Sequence, residues 1–226
     1  MIDMGVLSEV THIISPLSVS AFDNFVEIYS ELAIPAMERH GYEILGGWKW
    51  SSGRIGNSLM LIRFESQTER QKAEDSLLGD TVLINKLRQK LETAGVLIRE
   101  EIKFATPLPN GTEERLKLAL ELSNLKTPRQ FWLTRSLISL GKSGLVHGLL
   151  NDSADQAESA SNGKLVHAYQ TLVGKRGEIS HLWASPKREL DYSVSRSEPS
   201  ALASLKENIA EEELILLNAL PFSRLQ

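Results

Sequence analysis

Two segments of this chain, each with two predicted strands around a glycine-containing turn, align without a gap at an offset of 121 residues. The aligned positions are Ile44-Leu45 with Leu165-Val166, Trp48 with Tyr169, Gly53-Arg54 with Gly174-Lys175, Gly56 with Gly177 and Leu61 with Leu182. Self-similarity at a fixed spacing is typical of repeated structural units. The repeat therefore predicts that the chain builds the same supersecondary unit twice.

The first half of the chain is predicted to have the element order β-α-β-β-α-β. A β-branched strand over 6–14 is followed by an amphipathic helix that Ser20 caps, that Pro35 kinks and that Gly41 ends. The hairpin strands over 43–50 and 58–65 come next. Helical segments over 67–78 and from Asp80 then lead to an alternating strand over 96–104.

The second half is predicted to repeat this order after a Pro/Gly-rich linker over 105–113. The domains are then 1–106 and 112–226. The predicted elements of the second half are a strand over 116–122, a helix opened by Thr127-Pro128, strands over 165–173 and 179–184, a helix from Glu198-Pro199 and a final strand over 214–220.

The predicted fold class is therefore α+β, with two tandem ferredoxin-like β-α-β-β-α-β half-domains. Such a unit makes a four-stranded antiparallel sheet with both helices on one face, which leaves the other face apolar and uncovered. A second copy is the simplest cover for that face. We expect the halves to pack sheet to sheet around a shared central cleft.

Two groups of residues resemble the NIPSNAP family. In the first half they are Phe25 to Tyr29, Glu38-Arg39-His40-Gly41, the strand with Trp48 and Trp50, and Leu61-Ile62-Arg63-Phe64; in the second half they are Ile179-Ser180-His181-Leu182-Trp183. The resemblance implies the dimeric α-β barrel architecture. The wider superfamily includes cofactor-free monooxygenases, haem-degrading enzymes and small-ligand isomerases.

This chain departs from the family pattern at two places. Ser8 and Val10 stand where a Glu-x-Arg pair is common in the family, and the His-Leu-Trp motif becomes Met60-Leu61-Ile62 in the first copy. A polar site, if there is one, therefore differs between the two copies.

Composition narrows the classes of partner. The net charge is −4 and no basic block occurs, which argues against a nucleic-acid partner. There is no cysteine for a disulfide or thiolate site. No apolar run approaches the ~20 residues of a membrane span. We expect a soluble, cytoplasmic protein.

His181 is the candidate catalytic residue, as an acid–base group, and Trp183 lies two positions along the same strand. We expect both side chains to face the cleft, with Met60 and Ile62 at the equivalent positions of the first copy. Further candidate ligand-binding residues are Trp48, Trp50, Tyr169 and His12. For each of them the alternative is ordinary core packing of a strand. No residue spacing indicates a metal site, and no cofactor is predicted.

Two classes of function remain open from the sequence. The favoured prediction is a non-catalytic binding or interaction module; whether the chain is an enzyme is left undecided. The alternative is a cofactor-independent, monooxygenase-like enzyme or a binding protein for a small apolar or aromatic ligand, using the cleft between the sheets. The sequence leaves a homodimer open.

Overall fold

The computed structural model describes residues 5–16, 18–52, 56–124, 129–139, 163–185 and 207–226, with isolated positions between 142 and 159. The chain divides into two compact units. Unit 1 comprises residues 1–105 and 218–225, and unit 2 comprises residues 106–217 with Gln226. Each unit has an antiparallel sheet, so the predicted α+β class is confirmed.

Unit 1 has four strands, which are β1 (Val6–Ser15), β2 (Glu43–Trp50), β3 (Asn57–Phe64) and β4 (Leu97–Pro107). β1 is central and pairs with β3 and β4, and β3 also pairs with β2, all antiparallel. The strand order is therefore β4-β1-β3-β2, as expected for a β-α-β-β-α-β unit.

The helices of unit 1 are α1 (Val19–Ile28), α2 (Ile34–Arg39), α3 (Gln67–Gly79) and α4 (Thr81–Thr93). Ser18, and not the predicted Ser20, caps α1, because the Ser18 hydroxyl accepts a hydrogen bond from the Ala21 amide at 3.1 Å. A π-helical turn over Tyr29–Ala33 joins α1 to α2. This turn lies directly before Pro35, which has no N–H to donate to the Glu31 carbonyl. The helix adapts to the proline through the π-helical turn, where a kink was predicted.

One face of the unit 1 sheet is covered by these helices. Val10, Met60 and Ile62 belong to the same buried apolar cluster as Phe25 and Tyr29 of the helical segment. Because side chains alternate along a strand, their neighbours Leu59 and Leu61 lie on the opposite face. We call the face that carries Val10, Met60 and Ile62 the helix-covered face of unit 1.

Unit 2 begins with a helix, α5 (Glu113–Asn124), and continues with β5 (Gln130–Ile138), β6 (Lys164–Val173), β7 (Glu178–Ser185) and β8 (Ile209–Ala219). β5 pairs with β7 and β8, and β7 pairs with β6, again all antiparallel. The order β8-β5-β7-β6 repeats the order in unit 1.

The predicted strand over 116–122 is wrong, because this segment is part of α5. Leucine alternates with other residues there, but Leu, Ala, Lys and Glu are strong helix formers. The buried residues Leu116, Ala119 and Ser123 follow helical spacing. The Thr112 hydroxyl accepts a hydrogen bond from the Arg115 amide at 3.3 Å and caps the helix. The strand comes later, as β5; the predicted helix opening at 127–128 lies outside the described residues.

The two hairpins pair in the same register at the offset of 121. Trp48 pairs with Leu59 and Tyr169 pairs with Ser180, and a β-bulge interrupts both ladders, at Ile44/Gly46 and at Leu165/His167. Gly56 and Gly177 both have positive φ, at 89° and 85°. The hairpins therefore correspond residue by residue, while the sheet-to-sheet packing of two half-domains stays a prediction.

Gly111 makes the closest backbone approach in unit 2. A Cβ atom there would lie 2.2 Å from the carbonyl oxygen of Ala168, whereas one at Gly79 would have no neighbour within 4 Å. We expect Gly111→Ala to lower the free energy of unfolding by about 1–3 kcal/mol, because backbone cannot move aside cheaply. Gly79→Ala is the control, and urea denaturation measures both. A Gly111→Ala protein as stable as Gly79→Ala would contradict the close approach.

Candidate functional site

His181 lies in the middle of β7, and the side chain faces the interior of unit 2. The residue is only 4% exposed. Its cross-strand partners are Thr134 on β5 and Ala168 on β6. Because β7 is the strand between β5 and β6, His181 sits at the centre of the sheet and not at an edge.

A pair of stacked tryptophans lies beside this histidine. Trp132 and Trp183 are cross-strand partners, and their rings are almost parallel, with 3° between the planes and 6.1 Å between the centroids. The Trp183 indole N–H lies 3.4 Å from the Thr134 hydroxyl, to which it donates a hydrogen bond. The ring of His181 is 6.3 Å from that of Trp183. We call Trp132 and Trp183 the tryptophan pair.

The imidazole of His181 is buried, and one of its two ring nitrogens lacks a hydrogen-bond partner. Its Nε2 has no hydrogen-bond partner among the described residues. Burial lowers the pKa of His181 to about 4, because the charged form cannot be solvated. The ring is therefore neutral near pH 7. A buried polar nitrogen without a partner costs about 1–3 kcal/mol, so its position calls for an explanation beyond packing.

Asn110, also in unit 2, is a half-buried residue whose polar side-chain atoms are buried, and the sequence analysis missed it. Neither its amide nitrogen nor its amide oxygen has a hydrogen-bond partner in the part of the chain that the structure describes. The turn that carries it is held against β6, where the Leu108 amide donates to the Ala168 carbonyl at 2.9 Å. Ala168 is the cross-strand partner of His181. The Pro/Gly-rich composition around Asn110 predicted only a linker.

The predicted orientation of His181 and Trp183 is wrong. Trp183 belongs to the same buried cluster as Val146 and Ala154, which lie in the partly described segment between β5 and β6. The two residues therefore face this segment, and not the opposite face of the sheet. The equivalent residues of unit 1, Met60 and Ile62, likewise lie on the helix-covered face.

The other predicted aromatic residues do not join this site. Trp48 pairs with Leu59 and so lies on the face of unit 1 opposite to the helices, and Trp50 follows it on that face. Trp48 is 0% exposed, and a Cβ atom at Gly46 would lie 2.3 Å from its ring, which indicates a packing role. Tyr169 pairs with Ser180 and lies on the face opposite to His181.

His12 is the centre of a separate polar cluster on the helix-covered face of unit 1. Its Nδ1 is 3.0 Å from the Ser58 hydroxyl, and its Nε2 is 3.5 Å from the carboxylate of Glu100. The Tyr29 hydroxyl donates to the same carboxylate oxygen at 3.1 Å. The His12 ring also packs edge-on against Tyr29, with 5.0 Å between the centroids.

The partners of His12 shift each other's pKa values. The polar contact with His12 lowers the pKa of Glu100, and burial opposes this only in part. Burial raises the pKa of Tyr29 well above its ordinary value, and the neighbouring Glu100 carboxylate adds to the effect. The cluster joins β1, β3, β4 and the π-helical turn, and it does not include His181. The cluster therefore links the sheet of unit 1 to its helical segment, which indicates a structural role.

Within the described ranges, no group of three or more His, Cys, Asp or Glu side chains is arranged to hold a metal ion. In the same residues, none of the helices is long and apolar enough to cross a membrane.

Comparisons with known proteins find no matching family model and no matching curated protein. Solved structures do match. A proposed monooxygenase from Lactobacillus acidophilus is 9% identical with a TM-score of 0.57, covering 95% of this chain and 94% of its own. One from Fusobacterium nucleatum is 8% identical with a TM-score of 0.58, covering 97% and 94%. An anthrone oxidase-like protein is 8% identical with a TM-score of 0.57, covering 95% and 91%.

These matches show that the chain shares its fold with these proteins over nearly its whole length. A chlorite dismutase variant from Candidatus Nitrospira defluvii also matches, with 11% identity, a TM-score of 0.57 and coverage of 98% and 93%. A NIPSNAP domain protein from Burkholderia xenovorans covers 46% of this chain at a TM-score of 0.40, which is too low to favour that family.

The prediction of a non-catalytic interaction module is wrong. The structures that match nearly the whole chain are named for a monooxygenase, an oxidase and a dismutase. Their names favour the alternative of the sequence analysis over the interaction module.

The buried, neutral state of His181 predicts a pH dependence of stability. The unfolded chain takes up a proton on this residue near pH 6.5, but the folded chain does so only at about pH 4. Between these values the unfolded state binds more protons, so stability falls as the pH is lowered, by up to about 1.4 kcal/mol per pH unit. Stability lost through Glu100, whose folded pKa is lowered, comes at more acidic pH.

Urea denaturation at a series of pH values from 7 to 4.5 checks this expectation. His181→Leu is expected to flatten the slope, because it removes the proton-binding group. His40→Gln, which changes a part-exposed histidine in unit 1, is the control and should keep the wild-type slope. Equal slopes for wild type and His181→Leu would contradict the buried neutral imidazole.

Proposed function

We propose that this chain is an oxygenase-like enzyme that acts on a small, planar, apolar substrate held in unit 2. The single observation that supports it most is the unpartnered Nε2 of the buried His181 beside the tryptophan pair. The names of the solved structures with the same fold point to the same class of chemistry.

The surroundings of His181 favour an aromatic ligand with one hydroxyl or carbonyl group. The tryptophan pair offers apolar ring surface, on which a flat ligand packs well. The imidazole and the amide of Asn110 offer buried hydrogen-bonding atoms that lack partners in the described residues. A ligand with oxygen atoms at its rim would satisfy them, as few, well-placed polar groups do in apolar binding sites. The described residues named here, His181, Asn110 and the tryptophan pair, are uncharged near pH 7, so an ionic ligand fits them less well.

The low pKa of His181 limits what it does in the reaction. With a pKa of about 4, full proton transfer from a phenol-like group of pKa about 10 would cost about 8 kcal/mol. In the bound ground state the ring therefore orients the ligand by a hydrogen bond. As negative charge develops on the substrate, the imidazole becomes more basic, since a nearby negative charge raises its pKa. It then accepts the proton as the reaction proceeds.

An oxygenase of this kind needs no separate reductant when the substrate supplies the electrons. A ring methylene activated by a neighbouring carbonyl or aryl group loses a proton to give an electron-rich anion. Reaction with dioxygen then converts the methylene to a carbonyl, with one oxygen atom retained in the product and the other released as water. The protein's task is to bind, orient and desolvate the substrate.

We also propose the finer architecture that the sequence indicates, which is a tandem of two ferredoxin-like half-domains packed sheet to sheet. The identical hairpin registers and strand orders support a duplication. Membership of the NIPSNAP family, as one branch of the superfamily, stays a prediction on the motifs around Glu38 and His181.

The test uses anthrone as the probe, together with haem and free flavin in separate samples. We expect anthrone to raise the melting temperature and to be oxidised with consumption of dioxygen. A ligand at about 100 times its dissociation constant stabilises by about 2.7 kcal/mol. His181→Gln and Asn110→Ala should each weaken the thermal response by about tenfold in apparent affinity, the equivalent of one lost hydrogen bond at about 1.4 kcal/mol.

His12→Gln is the matched control, because it changes a buried histidine in unit 1 and should leave the anthrone response unchanged. Binding of anthrone without oxygen uptake would favour a ligand-binding protein over an enzyme. A rise in melting temperature with haem or flavin alone would indicate that the chain binds a cofactor and not the proposed substrate. No response to any of the probes, or an equal loss in His12→Gln and His181→Gln, would overturn the proposal.

A further inference from the structure

A second histidine, in unit 1, is in contact with an exposed serine and an aspartate. His40 Nδ1 lies 2.7 Å from the Ser76 hydroxyl. On the other side of the same ring, His40 Nε2 lies 3.6 Å from Asp80 Oδ2. His40 therefore has a serine at hydrogen-bond distance on one side of the ring and a carboxylate at ion-pair distance on the other.

Three helix segments hold these side chains in place. His40 is the C-terminal capping residue of α2, and its amide bonds back to the Ala36 and Met37 carbonyls. Asp80 caps α4, because its Oδ1 accepts a hydrogen bond from the Leu83 amide at 3.0 Å. Its Oδ2 is thereby aimed at His40. Ser76 lies in the last turns of α3. The backbone of each residue is fixed, so the order Ser-His-Asp does not depend on mobile loops.

This arrangement has the geometry of an activated nucleophile. A serine hydroxyl is a weak nucleophile alone, and it is activated when a base lies within about 2.6–3.2 Å and a third group orients that base. With Asp80 next to Nε2, the tautomer with the proton on Nε2 is favoured, which leaves Nδ1 free to accept the Ser76 proton. Such constellations are recognised by geometry and roles, whichever ring nitrogen faces the serine.

Exposure separates Ser76 from the other serine–histidine contact. Ser58, beside His12, is 1% exposed and closed off by the core, whereas Ser76 is exposed to solvent. The corner between α3 and α4 also carries the exposed apolar side chains of Leu78 and Val82, at 62% and 78% exposure. An electrophile can thus reach Ser76 and find apolar surface nearby.

We propose that Ser76, His40 and Asp80 form a nucleophilic centre that takes up an acyl group from an activated, apolar ester. The Ser76 oxygen forms a bond to the carbonyl carbon, and its proton passes to His40 Nδ1. The ester C–O bond breaks, and the leaving alcohol takes that proton, which gives an acyl-serine and one alcohol. This activity is independent of the function proposed for unit 2.

The test treats the full chain with a fluorophosphonate probe and locates the adduct by peptide mass spectrometry. In this reaction the serine oxygen displaces fluoride from phosphorus, and the proton goes to the imidazole. We expect one adduct on Ser76 and none in Ser76→Ala. His40→Gln keeps a hydrogen-bonding side chain but cannot take the proton. It should slow labelling by about 100-fold or more, the usual contribution of a general base.

Two controls keep the result interpretable. Ser20 is exposed and its hydroxyl lies 3.3 Å from the Ser18 hydroxyl. None of the histidines in the described residues has a hydrogen bond to it, so it reports the background reactivity of a surface serine. Asp80→Asn keeps a good helix cap, so slower labelling in this variant reflects the lost orientation of His40 rather than unfolding. Melting curves establish that each variant is folded. Labelling of Ser76 no faster than Ser20, or unchanged in His40→Gln, would overturn the proposal.

Discussion

The β-bulge in each hairpin is the constraint on which the arrangement of side chains depends. In unit 2 the bulge lies between Leu165 and His167, and it advances β6 by one residue against β7. Leu165 and Ala168 therefore both face the same side as His181 and Trp183, while His167 and Tyr169 face the other side. Without the bulge, a bulky histidine would stand opposite His181. The bulge instead places the methyl group of Ala168 there.

The two units treat their buried histidines differently. His12 in unit 1 has the Ser58 hydroxyl 3.0 Å from Nδ1 and the Glu100 carboxylate 3.5 Å from Nε2, although this Nε2 makes no hydrogen bond of good geometry. His181 in unit 2 has an unpartnered Nε2, and Asn110 adds an uncompensated amide. Buried polar groups without partners are rare, because each lowers the free energy of unfolding, which is small for a folded domain of ordinary stability. The difference on which a ligand site in unit 2 rests is therefore the neighbour of each ring, which is a carboxylate for His12 and the tryptophan pair for His181.

Part of this arrangement could be predicted from the sequence. The offset of 121 gave the correspondence of the two hairpins, because glycines with positive φ and aromatic strand residues leave a clear pattern. The spacing of His181 and Trp183 placed them on one face. Which face that is could not be predicted, because all eight residues of β7 are buried and the strand shows no polar side. α5 was missed because the alternation of leucines imitates a strand, although the composition is helical.

Asn110, Trp132 and Thr134 escaped prediction for another reason. Each lies far along the chain from His181. The pairing of β5 with β7 brings Trp132 and Thr134 beside it, and the approach of Gly111 to β6 brings the turn that carries Asn110 to its cross-strand partner Ala168. Sequence patterns report local periodicity, whereas a site is assembled by register between strands. The same limit applies to His40, which looks like a helix-ending residue in the sequence. Its chemical interest comes from Ser76 and Asp80, which only the packing of α2 against α3 and the start of α4 brings into contact with it.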